Sequence, residues 1–118
     1  MRRDRERILD IMLDIREALD SLARSLVDCK EADFLSNDLL CDASAHKLTI
    51  VGEAAARMSD EIKDRHPQIE WRKVIALRNV LVHEYFGVDR PMVREVAIVD
   101  APLLRDRIAA ILLAEFPE

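Results

Sequence analysis

Ile8, Ile11, Met12, Ile15, Leu19, Leu22 and Leu26 recur at steps of three and four residues. A helix turns about 100° per residue, so all seven side chains fall on one stripe, whereas a strand would split them between two faces. The spacing predicts a first helix from about Asp4 to Asp28, with Asp and Glu interleaved with Arg on its solvent side. Such a stripe has to be covered, and the rest of the chain offers only helices to cover it. Gly and Pro together number six in 118 residues, and all but Gly52 stand near where helices would start, end or bend.

Glu31 to Leu35 reads as a short helical turn that packs Phe34 and Leu35 inward, after which Ser36 or Asn37 can cap the next helix. A second long helix is predicted over Asp38 to Arg65 and ended by His66-Pro67, because the residue before proline is steered out of the helical region. Its apolar residues spread over more than one face, which suits contact with two surfaces. Gly52, ahead of Ala54, Ala55 and Ala56, is either a tolerated glycine or the place where another helix backbone comes close. A third helix is expected from about Glu70 to Tyr85. It is apolar around most of its circumference, hence the most buried element, with Gly87 as a left-handed stop just after Phe86. The fourth runs from roughly Arg90 to Glu115, with Pro91 in its first turn and Pro102 kinking it near Ile98. No strand pattern, repeat or linker is visible. The expected fold is all-α, a four-helix up-and-down bundle with a kinked last helix, in one domain over residues 1–118.

No run approaches the roughly 20 apolar residues that span a bilayer. Met1 to Arg7 is basic but has no uninterrupted apolar segment behind it, so no signal peptide is expected. Cys29 and Cys41 are too few for a disulfide framework or a zinc site, and Asp42 with His46 supplies only two ligands. A cytoplasmic location with reduced thiols, no membrane and no metal or other cofactor is the expectation. The formal charge of −5 argues against holding nucleic acid by blanket phosphate neutralisation. Residues 61–90, however, carry six Lys/Arg against five Asp/Glu and stand near +1. Local positive potential must therefore come from the site itself or from pooling two subunits.

The polar cluster Arg78-Asn79-Val80-Leu81-Val82-His83-Glu84-Tyr85 lies within the most apolar part of the chain. On a continuous helix Tyr85 falls almost directly above Arg78, and Asn79 and His83 are i,i+4 neighbours beside them. Trp71, Val74, Ile75, Leu77, Leu81, Val82 and Phe86 bracket Arg78. A guanidinium in an apolar sector needs an anion, since burying it unpaired costs several kcal/mol. Two readings stand: a structural arginine paired with a core glutamate, or an anion site with a proton-transfer group beside it. Glu53 is the candidate partner from the second helix, unless it simply faces solvent. Tyr85 is either a core tyrosine with a buried partner or a phenol near the surface. Trp71, Phe86 and the methionines are expected in the core. His46 and His66 are assigned no chemistry.

The spacing Arg-x4-His-x-Tyr, as Arg78, His83 and Tyr85, resembles the signature of the HepT-like (DUF86) branch of the HEPN superfamily, small all-helical proteins of which many are toxins of toxin–antitoxin pairs. Val51 to Ala55, Arg65 to Arg72 and Arg78 to Asp89 follow that family in order and spacing, and the similarity runs from about Arg3 to Leu113. The resemblance implies a homodimer with a metal-independent endoribonuclease centre at its interface. Arg78 would hold phosphate oxygens and His83 would transfer the proton of the attacking 2′-hydroxyl, leaving a 2′,3′-cyclic phosphate. Asn79 and Glu53 would support them. It further implies that a minimal nucleotidyltransferase antitoxin, MntA-like, attaches AMP to Tyr85 and so neutralises the toxin. Two other readings stay open: a non-catalytic subunit that binds RNA or nucleotide for a nucleotidyltransferase, and a purely structural dimer.

Overall fold

A computed structural model describes residues 2–80, 82–83 and 87–117, with backbone only for Arg2, Val80, Val82 and His83. The first helix, α1 (Arg2–Ser25), buries Ile11, Met12, Ile15, Leu19 and Leu22 as the stripe predicts. Asp4 in its first turn and Arg24 in its last complement the helix dipole. The chain then leaves through Asp28, whose φ of 58° is a left-handed conformation that aspartate tolerates better than most residues. The short helix α2 (Glu31–Leu35) buries Phe34, and the Asn37 side chain caps α3 (Asp38–Ala56) by accepting from the Leu40 amide at 3.0 Å.

The helix expected from Asp38 to Arg65 is two. Arg57 closes α3, Met58 turns into the core, and the Ser59 hydroxyl accepts from the Ile62 amide at 3.3 Å to start α4 (Asp60–Arg65). A side-chain cap at Ser59 competes with continued helix, and burial of Met58 favours the turn.

The third predicted helix is also shorter. It ends as α5 (Trp71–Val80), after which the chain is extended: β1 (Val82–His83) pairs antiparallel with β2 (Gly87–Val88), His83 opposite Gly87. Gly87 has the expected left-handed φ, 76°, but inside a hairpin rather than at a helix end. Nor is this helix the most buried. Trp71 is its one fully buried residue among those described, and Val74, Ile75, Ala76 and Leu77 are half-buried. The reason is its place: α3 lies between α1 and α5, so the core runs through α1 and α3 while α5 sits on the flank.

The last rod consists of α6 (Arg90–Glu95), a π-turn over Val96–Asp100 and α7 (Ala101–Glu115). Pro102 has no amide to give Ile98; where the sequence leads one to expect a kink, the structure has a wider π-turn around that missing hydrogen bond. Val93, Ala97, Ala101, Ile108 and Ile111 are buried along the rod, whereas the apolar side chains of Ile98, Val99 and Leu103 are exposed. The architecture is thus an all-α four-helix bundle with a two-residue hairpin inserted after α5. The first three long helices pack in sequence, α1 on α3 and α3 on α5, while α6 rests on α2 and α3 and α7 returns beside α1. Among the described residues no helix is long and apolar enough to cross a membrane.

Two polar clamps hold the corners. Arg90 donates to the Leu35 carbonyl at 2.8 Å and pairs with Asp38, tying α6 to the α2–α3 junction. At the far corner Arg65 grips Glu115 through two hydrogen bonds of 2.8 and 3.0 Å, and His66 Nε2 lies 2.7 Å from the same carboxylate. These contacts, Arg65 first, hold the Glu115 carboxyl below the usual carboxylate range. A lowered folded-state pKa contributes stability above the unfolded value and loses it as pH falls through the folded one. Glu115→Gln is therefore expected to cost about 1 kcal/mol near neutrality. The difference in melting temperature from the wild type should shrink as thermal scans move below the unfolded carboxylate pKa; a gap that widens on acidification would contradict this account.

Candidate functional site

The last turn of α5 carries Arg78 and Asn79, both exposed. What positions this turn is Gly52 on α3. A Cβ built at Gly52 would lie 2.8 Å from the Arg78 amide nitrogen, 3.0 Å from the Val74 carbonyl and 3.2 Å from that of Ile75. The two backbones touch there, which only glycine permits. Of the two readings of Gly52, close approach is the one found.

Glu53, the next residue on α3, is exposed and lines an open groove with Ile50, Ala56, Arg57 and Arg78. Glu53 and Arg78 thus share a groove, yet no ion pair joins them, and Arg78 has no carboxylate partner among the described residues. Of the two readings of Arg78, pairing with a core glutamate is not found among the described residues, and Glu53 faces solvent. Because α5 is covered on one side only, Arg78 points its charge at solvent and is free to meet an external anion.

His83 does not share a helix with Arg78 and Asn79. Its backbone stands in β1, three residues past the end of α5, so the i,i+4 relation to Asn79 does not hold as wheel geometry. The hairpin instead returns the chain at Gly87–Val88, beside α3. Tyr85 and Phe86 lie outside the described residues. Asp89 caps α6, accepting from the Met92 amide at 3.2 Å.

Of the remaining candidates, Trp71, Met12 and Met58 are core residues as expected, and Met92 is exposed. His66 is structural, held between Glu115 and Gln68. Cys41 is fully buried and its Sγ lies 3.1 Å from the Phe34 carbonyl; burial, above all, pushes its thiol pKa up. Such a thiol is a poor nucleophile. Among the described residues no three His, Cys, Asp or Glu side chains gather as a metal site would require. Arg57, which lines the same groove as Arg78, was not singled out by the sequence. The signal was its place four residues after Glu53, one helical turn along the same face.

An all-α bundle with an exposed arginine in the last turn of one helix and a histidine five residues on, in a separate strand, defines a small helical protein with a solvent-facing arginine in its Arg-x4-His element. The family model for the ribonuclease HepT-like family matches residues 15–111, and the chain belongs to that family. A Thermococcus cleftensis protein named "Probable ribonuclease HepT" is 32% identical over 98 residues, covering 83% of this chain and 89% of that one. A Methanocaldococcus jannaschii protein named "Putative RNase MJ1380" is 26% identical over 97 residues, 82% of this chain and 89% of the other. One from Caldanaerobacter subterraneus, named "Putative RNase TTE0752", is 31% identical over 83 residues, 70% and 74% of the two chains. No solved structure matches.

Proposed function

We propose that this chain is a ribonuclease, and specifically a metal-independent endoribonuclease toxin that cuts RNA with a pair of Arg-x4-His elements brought together in a homodimer. Family membership and the names of its relatives support the ribonuclease part. The observation that carries the site is Arg78: exposed, without a carboxylate partner among the described residues, and set on a turn braced by the α3 backbone. A fixed guanidinium of this kind can hold two phosphate oxygens and stabilise charge as the phosphorus becomes five-coordinate. His83 takes the 2′-hydroxyl proton, histidine being the side chain whose ordinary pKa lies nearest neutrality, and Asn79 donates to the phosphate or orients the imidazole. The 2′-oxygen bonds to phosphorus, the 5′-oxygen leaves, and the product ends in a 2′,3′-cyclic phosphate. Pairing two subunits doubles the positive charge in one cleft of an otherwise acidic protein. Half-buried Val74, Ile75 and Leu77 on α5 leave apolar area for a second subunit to cover.

In the same reading a nucleotidyltransferase antitoxin transfers AMP to the Tyr85 hydroxyl, placing an anion where RNA phosphate would otherwise bind. One experiment addresses both parts. Protein purified without its partner is expected to degrade total RNA to fragments with cyclic phosphate ends. Protein co-expressed with the nucleotidyltransferase should leave RNA intact and carry AMP on Tyr85 by peptide mass spectrometry. If partner-free protein spares all RNA, the alternative of a non-catalytic RNA- or nucleotide-binding subunit takes over.

A further inference from the structure

Arg57 lines two grooves. One is the groove of Arg78, with Ile50, Glu53 and Ala56. The other runs between the N-terminal turns of α1 and the start of α4, where Arg5, Arg7 and Arg65 join Arg57 beside Ser59. The two openings therefore meet at one side chain at the α3–α4 corner. We propose that an RNA strand held at Arg78 continues over Arg57 to Arg7, so that this corner is a binding track for the phosphates flanking the cut. The inference rests on the reading that Arg78 receives RNA phosphate.

The charges along the track bear on whether it attracts a polyanion. Five arginines face four carboxylates, Glu53 in the first groove and Asp4, Glu61 and Glu115 in the second. With Asp14, which meets Arg57 at 3.7 Å, the track is neutral, and the whole −5 of the chain falls on the rest of the molecule. A neutral strip carrying exposed guanidiniums, on a surface otherwise repelling phosphate, directs where a strand lies.

The arginines are also unequal. Arg65 is committed to Glu61 at 2.6 Å and to Glu115, and His66 shares the Glu115 carboxylate, so those acids are largely neutralised by neighbours. Arg5 donates to the Glu115 carbonyl at 2.8 Å and stacks over Phe116. Arg7 and Arg78, by contrast, have no ion pair among the described residues. Arg57 meets only Asp14, at 3.7 Å, with both side chains more than half exposed, a contact worth little in water. The three guanidiniums left available are the ones the track uses. Planar, weakly hydrated and able to grip two oxygens at once, they suit phosphate better than lysines would.

The test uses a labelled single-stranded RNA and full-length protein carrying His83→Ala, so that the strand is bound without being consumed. In that background Arg7→Gln and Arg57→Gln are each expected to weaken binding roughly threefold to tenfold and to lower the slope of log affinity against log salt by about 0.7. Arg94→Gln, which removes an ion pair to Glu31 on α2 outside both grooves, should change neither. Unaltered affinity and slope in both track variants would overturn the proposal, as would binding of an acidic peptide but not of RNA. A parallel digestion by protein with His83 intact separates the two ideas. Salt slopes that fall without any RNA being cut leave the track standing and remove the ribonuclease; cutting with unchanged slopes does the reverse.

Discussion

His83→Ala is expected to abolish RNA cleavage and growth inhibition, with the rate falling about 10² to 10⁴-fold while the proposed dimer persists. The substitution removes a proton-transfer group from β1, a two-residue strand held by backbone pairing of His83 with Gly87, which an alanine leaves in place. Light scattering should accordingly give an unchanged molar mass. Arg78→Ala should cost about 10² to 10³-fold through lost charge stabilisation. Arg78→Lys should recover only part of it, because an ammonium cannot make the two parallel contacts of a guanidinium. Since Arg78 is exposed and has no carboxylate partner among the described residues, neither change leaves a buried charge, and folding should be unaffected. This separates the proposed role from that of a structural arginine, whose loss would be read in melting temperature rather than in rate. A His83→Ala protein that cuts RNA as fast as the wild type would end the assignment of proton transfer to this residue.

How far such a site can be read from sequence depends on which residues announce themselves. The stripe from Ile8 to Leu26 was legible because a helix face repeats at three and four residues and nothing interrupts it. Pro102 was legible because its missing amide acts on one known acceptor, and the π-turn stands there. Ser59 was not, although Ser followed by Asp60 and Glu61 is a helix-start pattern; read inside an apolar periodic stretch, it passed for helix interior. The same periodicity carried the third helix too far. Apolar residues on every side fit a helix and a strand equally well, and the β-branched Val80 and Val82 were the signal that the chain turns extended. The identities of Arg78 and His83 came from their pattern, but their relation in space did not, because it depends on where α5 stops. Arg57 acquires meaning only when α1 and α4 are brought to the same corner, which is tertiary information.

Gly52→Ala is the second large effect expected. The added methyl would sit 2.8 Å from the Arg78 amide nitrogen and 3.0 Å from the Val74 carbonyl, both backbone atoms of α5 that cannot rotate away as a side chain can. Alanine gains up to about 1 kcal/mol in helix propensity over glycine. Forced overpacking costs about 1 to 3 kcal/mol, so the net result is a destabilisation of up to about 2 kcal/mol, larger for Gly52→Val. The second consequence concerns chemistry. To admit the methyl, α5 has to move off α3 at the turn that carries Arg78, and a displacement of about 1 Å in a catalytic group can cost on the order of 10²-fold in rate. Ala43→Gly supplies the comparison: Ala43 is exposed on the same helix, so its loss of roughly 1 kcal/mol acts through propensity alone and should leave cleavage at the wild-type level. Two variants of similar stability should therefore differ in rate by a hundredfold, measured on one RNA at a temperature where both are folded. Were they to cut equally well, the contact between the α3 and α5 backbones would have no part in holding Arg78.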